Sequence, residues 1–285
     1  MALRIVPVND FDAATLAVLP GSVSTLPATN LQSNVRDDLW RSVNTEPHTI
    51  TGSWAGSVKT ISHASIWPSG GSSCLIGSQV RLELFSDESA TTSVYDTGTV
   101  NFFEWSGTGY GRGVYGAFRL GAANDDRTAR LAPWVKWFTP VYARSFRVTL
   151  TNTGAMDTPF FEARRIWLGE YHDAPFNAQR NMGHGWASGS EVDRNRHGPL
   201  RRLPGGRWME LRFDAVFITE ADRAKWSDIH YACDPANEIF LSLFPTAATE
   251  RQRRAFTAIG SLAGLERMTL ESAEFNRLPL TFLES

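Results

Sequence analysis

The hydrophobic and polar positions of residues 1–172 alternate in short runs, which are separated by turns rich in Gly, Ser, Asn and Asp. The clearest run is Gln79–Phe85, where Val80, Leu82 and Leu84 point one way and Arg81, Glu83 and Phe85 the other. A period of two is typical of a half-buried strand. The other predicted strands of this region are Leu3–Val8, Val58–Trp67, Thr92–Tyr95, Thr99–Glu104, Val141–Asn152 and Phe160–Leu168. This spacing predicts a β-sandwich of the jelly-roll type over residues 1–172.

Residues 173–285 predict a second, α+β domain. Glycine, proline and arginine dominate residues 173–205, which favours an extended hairpin, and Arg207–Ile218 then alternates strongly. Thr219 precedes a run in which Trp226, Ile229 and Cys233 share one helical face, so a helix is predicted to begin there. Further strands are predicted at Ile239–Phe244, Arg254–Leu262, Arg267–Glu271 and Phe275–Glu284. The predicted fold class is therefore mainly β, a jelly roll followed by an α+β domain.

Composition excludes several classes of protein. Hydrophobic residues make up 42% of the 285 residues and charged residues 20%, which is typical of a globular chain. The net charge of −2 argues against a dedicated nucleic-acid binder, whose affinity depends on neutralising phosphates. We see no signal peptide or membrane-spanning run, so we expect a soluble protein made in a cytoplasm. Cys74 and Cys233 are expected to be buried thiols.

No catalytic or metal motif stands out, so we expect no enzyme, no cofactor and no metal site. Gly111–Gly116 matches G-x-G-x-x-G, but no amphipathic helix follows it, so a tight glycine loop is the better interpretation. His63 is expected to be a packed core residue, and none of the six histidines pairs with another at metal-ligand spacing. The acidic pairs suit solvated turns, although a calcium site stays an alternative; they are Asp37-Asp38, Asp87-Glu88 and Asp125-Asp126.

Aromatic residues give the stronger signal for binding. The glycine-rich loop carries Trp105, Tyr110, Arg112 and Tyr115, which could stack on a sugar and bind its hydroxyl groups. The alternative is that the loop contacts a neighbouring subunit, and the sequence favours protein over glycan. Trp54, Trp67, Trp134 and Trp137 are expected in the core or at its rim.

Arginine is unusually frequent, at 25 of the 28 basic residues. Arg suits interfaces and bidentate pairing, although a GC-rich genome would give the same bias. The hairpin region concentrates Arg194, Arg196, Arg201 and Arg202, which we expect to form an oligomer interface; a solvated hairpin is the alternative.

The order of several short motifs resembles a known family. They are Thr29-Asn-Leu31, Asp38-Leu-Trp40-Arg41-Ser42, Ile61–Ile66, Val80–Asp87, Tyr95-Asp96-Thr97-Gly98, Ala143–Leu150 and Arg165–Gly169. Together they resemble the discoidin-like, carbohydrate-module-type jelly rolls of bacteriophage tail proteins. The later segments Thr219–Asp222, Ile239–Phe244 and Leu278–Glu284 resemble the hub-type domains of tail-tip proteins.

The resemblance implies a structural component of the tail tip, distal tail or baseplate of a long-tailed phage. Residues 173–285 would form a symmetric trimeric or hexameric ring around the tail axis, with other tail proteins as partners, and residues 1–172 would project from it. The expected location is the virion. The alternative function is a glycan-binding adhesion module for attachment to the host surface.

Overall fold

The structure is a computed structural model of the chain. It describes residues 3–35, 37–69, 75, 77–102, 133–153, 158–173, 183–188, 191–194, 200–203, 207–232, 237–246, 257–263, 269–270 and 275–284. No helix within these residues is both long enough and apolar enough to cross a membrane.

The described residues form twenty strands, one α-helix and two short 3₁₀ helices, Asp10–Ala13 and Ala28–Gln32. The α-helix is α1 (Glu220–Ala232). The strands are β1 (Arg4–Val6), β2 (Thr15–Leu19), β3 (Trp40–Arg41), β4 (His48–Ser53), β5 (Lys59–Pro68), β6 (Ser78–Phe85), β7 (Ser93–Asp96), β8 (Val100–Asn101), β9 (Trp134–Ala143), β10 (Ser145–Asn152), β11 (Glu162–Gly169), β12 (His172–Asp173), β13 (Gly183–Ser188), β14 (Glu191–Arg194), β15 (Leu200–Leu203), β16 (Arg207–Thr219), β17 (Ile239–Ser242), β18 (Thr257–Leu262), β19 (Thr269–Leu270) and β20 (Phe275–Glu284). The predicted mainly β class is confirmed.

The chain divides into two compact units. The sandwich unit comprises residues 9–171 and 247–257, and the sheet unit comprises residues 1–8, 172–246 and 258–285. The sequence placed Leu3–Val8 with the jelly roll, but β1 pairs with β12 and β17 in the sheet unit. Local alternation predicted this strand correctly, whereas its long-range partners leave no mark in the local pattern.

Two antiparallel sheets build the sandwich unit. The polar sheet has the order β2-β4-β10-β6-β7, with β8 also paired to β6. The aromatic sheet has the order β3-β11-β5-β9. Large buried side chains from both sheets and from the segments that flank their strands form one core, which includes Phe11, Trp40, Trp54, Phe146 and Phe161. This arrangement is the predicted β-sandwich.

Alternation in β6 and β10 produces the inner face of the polar sheet. Val80, Leu82 and Leu84 are buried as predicted, and Val148 and Leu150 are buried beside them in register with Leu82 and Val80. Gly52 faces Phe146 across β4 and β10, and a Cβ at this position would overlap the phenyl ring. The inner face is therefore packed too closely there to accept any side chain.

The predicted strand Val141–Asn152 is wrong as a single strand. It contains the end of β9, in the aromatic sheet, and all of β10, in the polar sheet. The chain crosses between the sheets at Arg144, whose N–H donates to the carbonyl of Phe85. Both sides of the crossing are β-forming residues, so the alternation continues through it without a turn signal.

The described part of the sheet unit centres on one eight-stranded sheet. Its order is β12-β1-β17-β18-β20-β16-β13, with β19 paired to β20. Helix α1 begins directly after Thr219, as predicted, and buries Trp226 and Ile229. The predicted hairpin of residues 173–205 is present as β14 and β15, which pair antiparallel in a sheet of their own. An α+β hub role for this unit stays a prediction.

Candidate functional site

The four residues predicted to bind a ligand, Trp105, Tyr110, Arg112 and Tyr115, lie outside the described residues. The described chain stops at Phe102, which is buried and donates its N–H to the carbonyl of Ser78. It resumes at Pro133, directly before the buried Trp134. The two flanks of this segment therefore have defined positions in the sandwich.

Both flanks lie at the same end of the two sheets, which we name the loop end. The register places Asn101 beside Gln79 and Trp134 beside Ile66, close to the start of β6 and the end of β5. The ring of His48 lies between Trp40 and Phe161, with centroid distances of 6.2 and 5.7 Å, and so joins the two sheets at this end. The strand termini that define the loop end are those at Arg41, His48, Pro68, Ser78, Asn101, Trp134, Asn152 and Glu162.

A guanidinium group is held in place at the loop end. The Nε–H of Arg41 donates to Oε2 of Glu162 at 2.7 Å, and an Nη2–H donates to the same oxygen. The guanidinium carbon lies 4.2 Å from the ring centroid of Phe160. Glu162 is buried, whereas the Arg41 side chain remains 37% exposed. Two of the five N–H donors of Arg41 are used in this pair. Donors therefore remain on the exposed part of the guanidinium group, where they can reach a ligand.

Hydrogen bonds fix the loop beside this group. The hydroxyl of Ser42 donates to the carbonyl of Asn44 and accepts the N–H of Phe161. The side chain of Asn44 accepts the N–H of Glu46, and the hydroxyl of Thr158 donates to the carbonyl of Phe160. These bonds connect residues 42–46 with residues 158–161, so the backbone around Arg41 is ordered before any ligand arrives.

We name Arg41, Phe160 and Glu162 the loop-end cluster. It combines planar hydrogen-bond donors, a carboxylate and an aromatic ring, and its ion pair has no net charge. Such a set can bind a neutral molecule that has hydroxyl groups on its edges and an apolar face.

The histidines of the sandwich unit are buried. The ring centroid of His63 lies 4.2 Å from that of Trp137, and its Nε2 lies 3.3 Å from the hydroxyl of Ser65. His63 is thus a packed, buried residue, as the sequence predicts, although it lies on the outer face of its sheet. His48 is also buried, and its Nδ1 lies 2.7 Å from the carbonyl of Glu46.

The described acidic pairs serve turns, as predicted. Asp87 accepts hydrogen bonds from the hydroxyl of Ser89 and from the N–H groups of Thr91 and Thr92. These bonds hold the pKa of the Asp87 carboxyl well below its usual range. Asp38 accepts from the hydroxyl of Ser33, and the pair Asp125-Asp126 lies outside the described residues. Within the described ranges, no three His, Cys, Asp or Glu side chains are grouped as a metal site would require.

The predicted interface arginines are placed by backbone register. Arg194 is in β14 opposite Leu200, and Arg201 and Arg202 are in β15 opposite Asp193 and Val192. Arg196, Cys74 and Cys233 lie outside the described residues. These arginines belong to the sheet unit, whereas the loop-end cluster belongs to the sandwich unit.

The sequence pattern alone does not indicate the loop-end cluster. Arg41 and Glu162 are 121 positions apart, and neither belongs to a spaced motif. The only signal in the sequence is the motif Asp38-Leu-Trp40-Arg41-Ser42, which contributed to the family resemblance without suggesting a ligand.

Comparison with known proteins gives likeness to solved structures alone. No protein-family model matches the chain, and no curated protein matches it in sequence. One similar structure is CpGH89CBM32-5 from Clostridium perfringens in complex with GalNAc-β-1,3-galactose, with a TM-score of 0.40 and 10% identity over 55% of this chain and 96% of that one. Another is the family 32 CBM of C. perfringens NanJ in complex with galactose, with a TM-score of 0.39 and 11% identity over 60% and 99%. A Streptococcus pneumoniae fucose binding module also has a TM-score of 0.39 and 11% identity, over 57% and 94%.

Proposed function

We propose that the sandwich unit binds a neutral glycan at its loop end and thereby attaches the protein to a host surface. The observation that supports this proposal most strongly is the position of Arg41, held by the buried Glu162 and by the ring of Phe160 while still exposed. The four predicted ligand residues belong to the segment whose two flanks lie at the same end.

The physical case depends on preorganisation. A free arginine loses side-chain entropy when it orders around a ligand, at a cost of about 0.5–1.5 kcal/mol. Arg41 has largely met this cost within the folded protein, because its Nε–H, Nη2–H and guanidinium plane are already occupied. Its ion pair with Glu162 cancels the charge, so sugar hydroxyls are better matched to the site than phosphates or sulfates.

The test is isothermal titration of the full chain with a glycan panel that begins with galactose, N-acetylgalactosamine and fucose. We expect at least one glycan to bind, and Arg41→Ala to weaken its affinity about ten-fold or more, which corresponds to roughly 1.4 kcal/mol. Arg41→Lys should lose most of the affinity as well, because it keeps the charge but not the planar donors.

Arg81→Ala is the matched control. Arg81 is also a half-exposed arginine paired with a carboxylate, that of Asp96, but it lies on the outer face of the polar sheet. Its variant should bind as the wild type does. Absence of binding to every glycan, or equal affinities for Arg41→Ala and wild type, would contradict the proposal.

A second candidate function is favoured by a different observation, the separate hairpin of β14 and β15. We infer from it that the sheet unit assembles, and the sequence resemblance suggests the tail tip of a long-tailed phage as the setting. In that role the protein would be a non-enzymatic part of the virion, bound to further copies and to other tail proteins. The double variant Arg201→Glu, Arg202→Glu should fold normally yet fail to enter particles; normal incorporation would count against this function.

A further inference from the structure

The two edges of the polar sheet differ. The sheet ends in β7 on one side and in β2 on the other. The β7 edge has features that discourage a further strand from pairing, namely the ion pair of Arg81 with Asp96 and a register shift between Leu84 and Phe85. The β2 edge has neither feature, because β2 pairs with β4 in continuous register over five positions and contains no charged residue. We name β2 the open edge.

The open edge is accessible to another strand. In the part of the chain that the structure describes, the hydrogen bonds of Thr15–Leu19 go to β4 alone. Thr15, Ala17 and Leu19 are exposed, and Leu19, at 73%, is the most exposed large hydrophobic side chain described in the sandwich unit. Leu16 and Val18 pack against the core but are only partly buried. An added strand would cover these two side chains further and would pair the outer backbone groups of β2.

The charge pattern around the open edge favours a second copy of the chain as the partner. Residues 13–35 contain no charged residue and form the longest such stretch in the sequence. The neighbouring strand β4 is also uncharged at its alternate, partly exposed positions, which are Thr49, Thr51 and Ser53. A two-fold contact brings each group against a copy of itself or of its neighbours, and like charges placed opposite each other are destabilising. This edge is therefore compatible with a copy of itself.

Antiparallel pairing about Ala17 matches side chains of similar character. In this register Ala17 lies opposite the partner's Ala17, and Leu16 lies opposite the partner's Val18. Thr15 then lies opposite the partner's Leu19. Leu16 and Val18 share the inner face of the strand, so their pairs would extend the apolar core across the contact. Leu19, on the other face, would be partly covered by the added strand.

We propose that two copies of the chain pair through β2, so that their polar sheets form one continuous sheet about a two-fold axis at Ala17. The contact is isologous, because the same strand of each copy takes part in it. Strands of five residues bury less surface than a standard interface, so we expect a dimer that dissociates in the micromolar range or above. The inference depends neither on glycan binding at the loop end nor on the hairpin of β14 and β15.

The test is sedimentation velocity of the full chain over a range of protein concentrations. We expect the wild type to form a dimer and Ala17→Lys to weaken it about ten-fold or more, because two like charges then lie opposite each other at the axis. Ala17→Glu should weaken the dimer for the same reason. Ala17 is exposed, so both variants should fold as the wild type does. An equimolar mixture of the two variants should dimerise again, since a positive charge then faces a negative one.

The matched control is Ser93→Lys. Ser93 is an exposed residue of β7, the other edge strand of the same sheet, so this variant adds the same charge at the edge that we expect to stay unpaired. It should leave the wild-type dimer unchanged.

Cross-linking provides a second measurement, which also detects a dimer too weak to sediment as one. Residues opposite each other in an antiparallel pair have Cα atoms about 4.5–5.5 Å apart, within the range that a disulfide spans. Mild oxidation of Ala17→Cys should therefore give a covalent dimer. Ser93→Cys should give no more of it than the wild type, which contains Cys74 and Cys233.

The outcomes separate this contact from other modes of assembly. Dimerisation that Ala17→Lys leaves unchanged would overturn pairing through β2. A monomeric wild type, together with no excess cross-linking of Ala17→Cys over Ser93→Cys, would overturn the dimer itself. Recovery in the mixture of Ala17→Lys and Ala17→Glu would establish the contact, because position 17 then meets its own copy across the axis.

Discussion

The outer face of the polar sheet exposes Arg81 and Arg147 to solvent. The outer face of the aromatic sheet instead buries His63, Trp67 and Trp167. Both sheets contribute inner faces to the same core, so the difference concerns only the side that faces away from it. A sheet with one solvated face follows strict alternation, and a sheet covered on both faces does not.

The two faces hold their polar groups in different ways. On the polar sheet, Arg81 pairs with Asp96 at 2.6 Å and with Glu83 at 3.1 Å; Arg81 and Asp96 are exposed to solvent, whereas Glu83 is largely covered. On the aromatic sheet, Arg165 is only 4% exposed, pairs with Asp12 at 2.7 Å and lies 5.6 Å from the ring of Trp167. Exposed ion pairs add little to stability, whereas a buried charge depends on its partner.

Truncating an outer-face tryptophan should give the largest effect. Trp167→Ala removes a fully buried indole from the aromatic sheet, and we expect about 4 kcal/mol less free energy of unfolding. Thr149→Ala, on the outer face of the polar sheet, should change it by at most about 0.5 kcal/mol. Urea titration followed by tryptophan fluorescence measures both. Similar losses from the two variants would remove the distinction between the faces.

Truncating the two arginines should give an intermediate effect. Arg165→Ala removes a buried side chain, leaves space beside the ring of Trp167 and ends the ion pair with Asp12, so we expect a loss of roughly 3 kcal/mol. Arg81→Ala should leave the free energy of unfolding almost unchanged, because water replaces its hydrogen bonds. The same urea titration applies, and a larger loss for Arg81→Ala than for Arg165→Ala would invert the proposed order.

The smallest effect is a change in the pH dependence of stability. Hydrogen bonds from Arg81 hold the pKa of Asp96 below its usual value. A lowered carboxyl pKa stabilises the folded state above the unfolded pKa of about 4, and this contribution is lost as the pH falls through the folded pKa. Asp96→Asn should therefore be slightly less stable than wild type at neutral pH, and the difference should disappear in acid. A difference that grows as the pH falls would contradict the assignment.

The contrast between the sheets also explains why the sequence predicts the buried face of one sheet and not that of the other. Val80, Leu82 and Leu84 alternate with polar residues, so β6 and its inner face followed directly from the pattern. In β5, Ser62, His63 and Ser65 are buried together with Ile61 and Ile66, and a local pattern assigns such polar residues to solvent. Their burial depends on residues distant in sequence, which no short window contains.

The candidate site was harder to predict for a related reason. The sequence predicts a ligand-binding role for Trp105, Tyr110, Arg112 and Tyr115 because they cluster locally. Arg41, Phe160 and Glu162 meet only because β3 pairs with β11, with Arg41 opposite Glu162. A site assembled by strand register across more than a hundred residues has no compact motif, so it becomes visible only in the fold.

Amide chemical-shift mapping during a glycan titration would show where on the sandwich unit a glycan binds. If the loop end is the glycan site, the amide signals of residues 41–46 and 158–162 should shift, and those of Arg81 and Asp96 should stay in place. Shifts confined to the outer face of the polar sheet, or no shifts with any glycan, would contradict it.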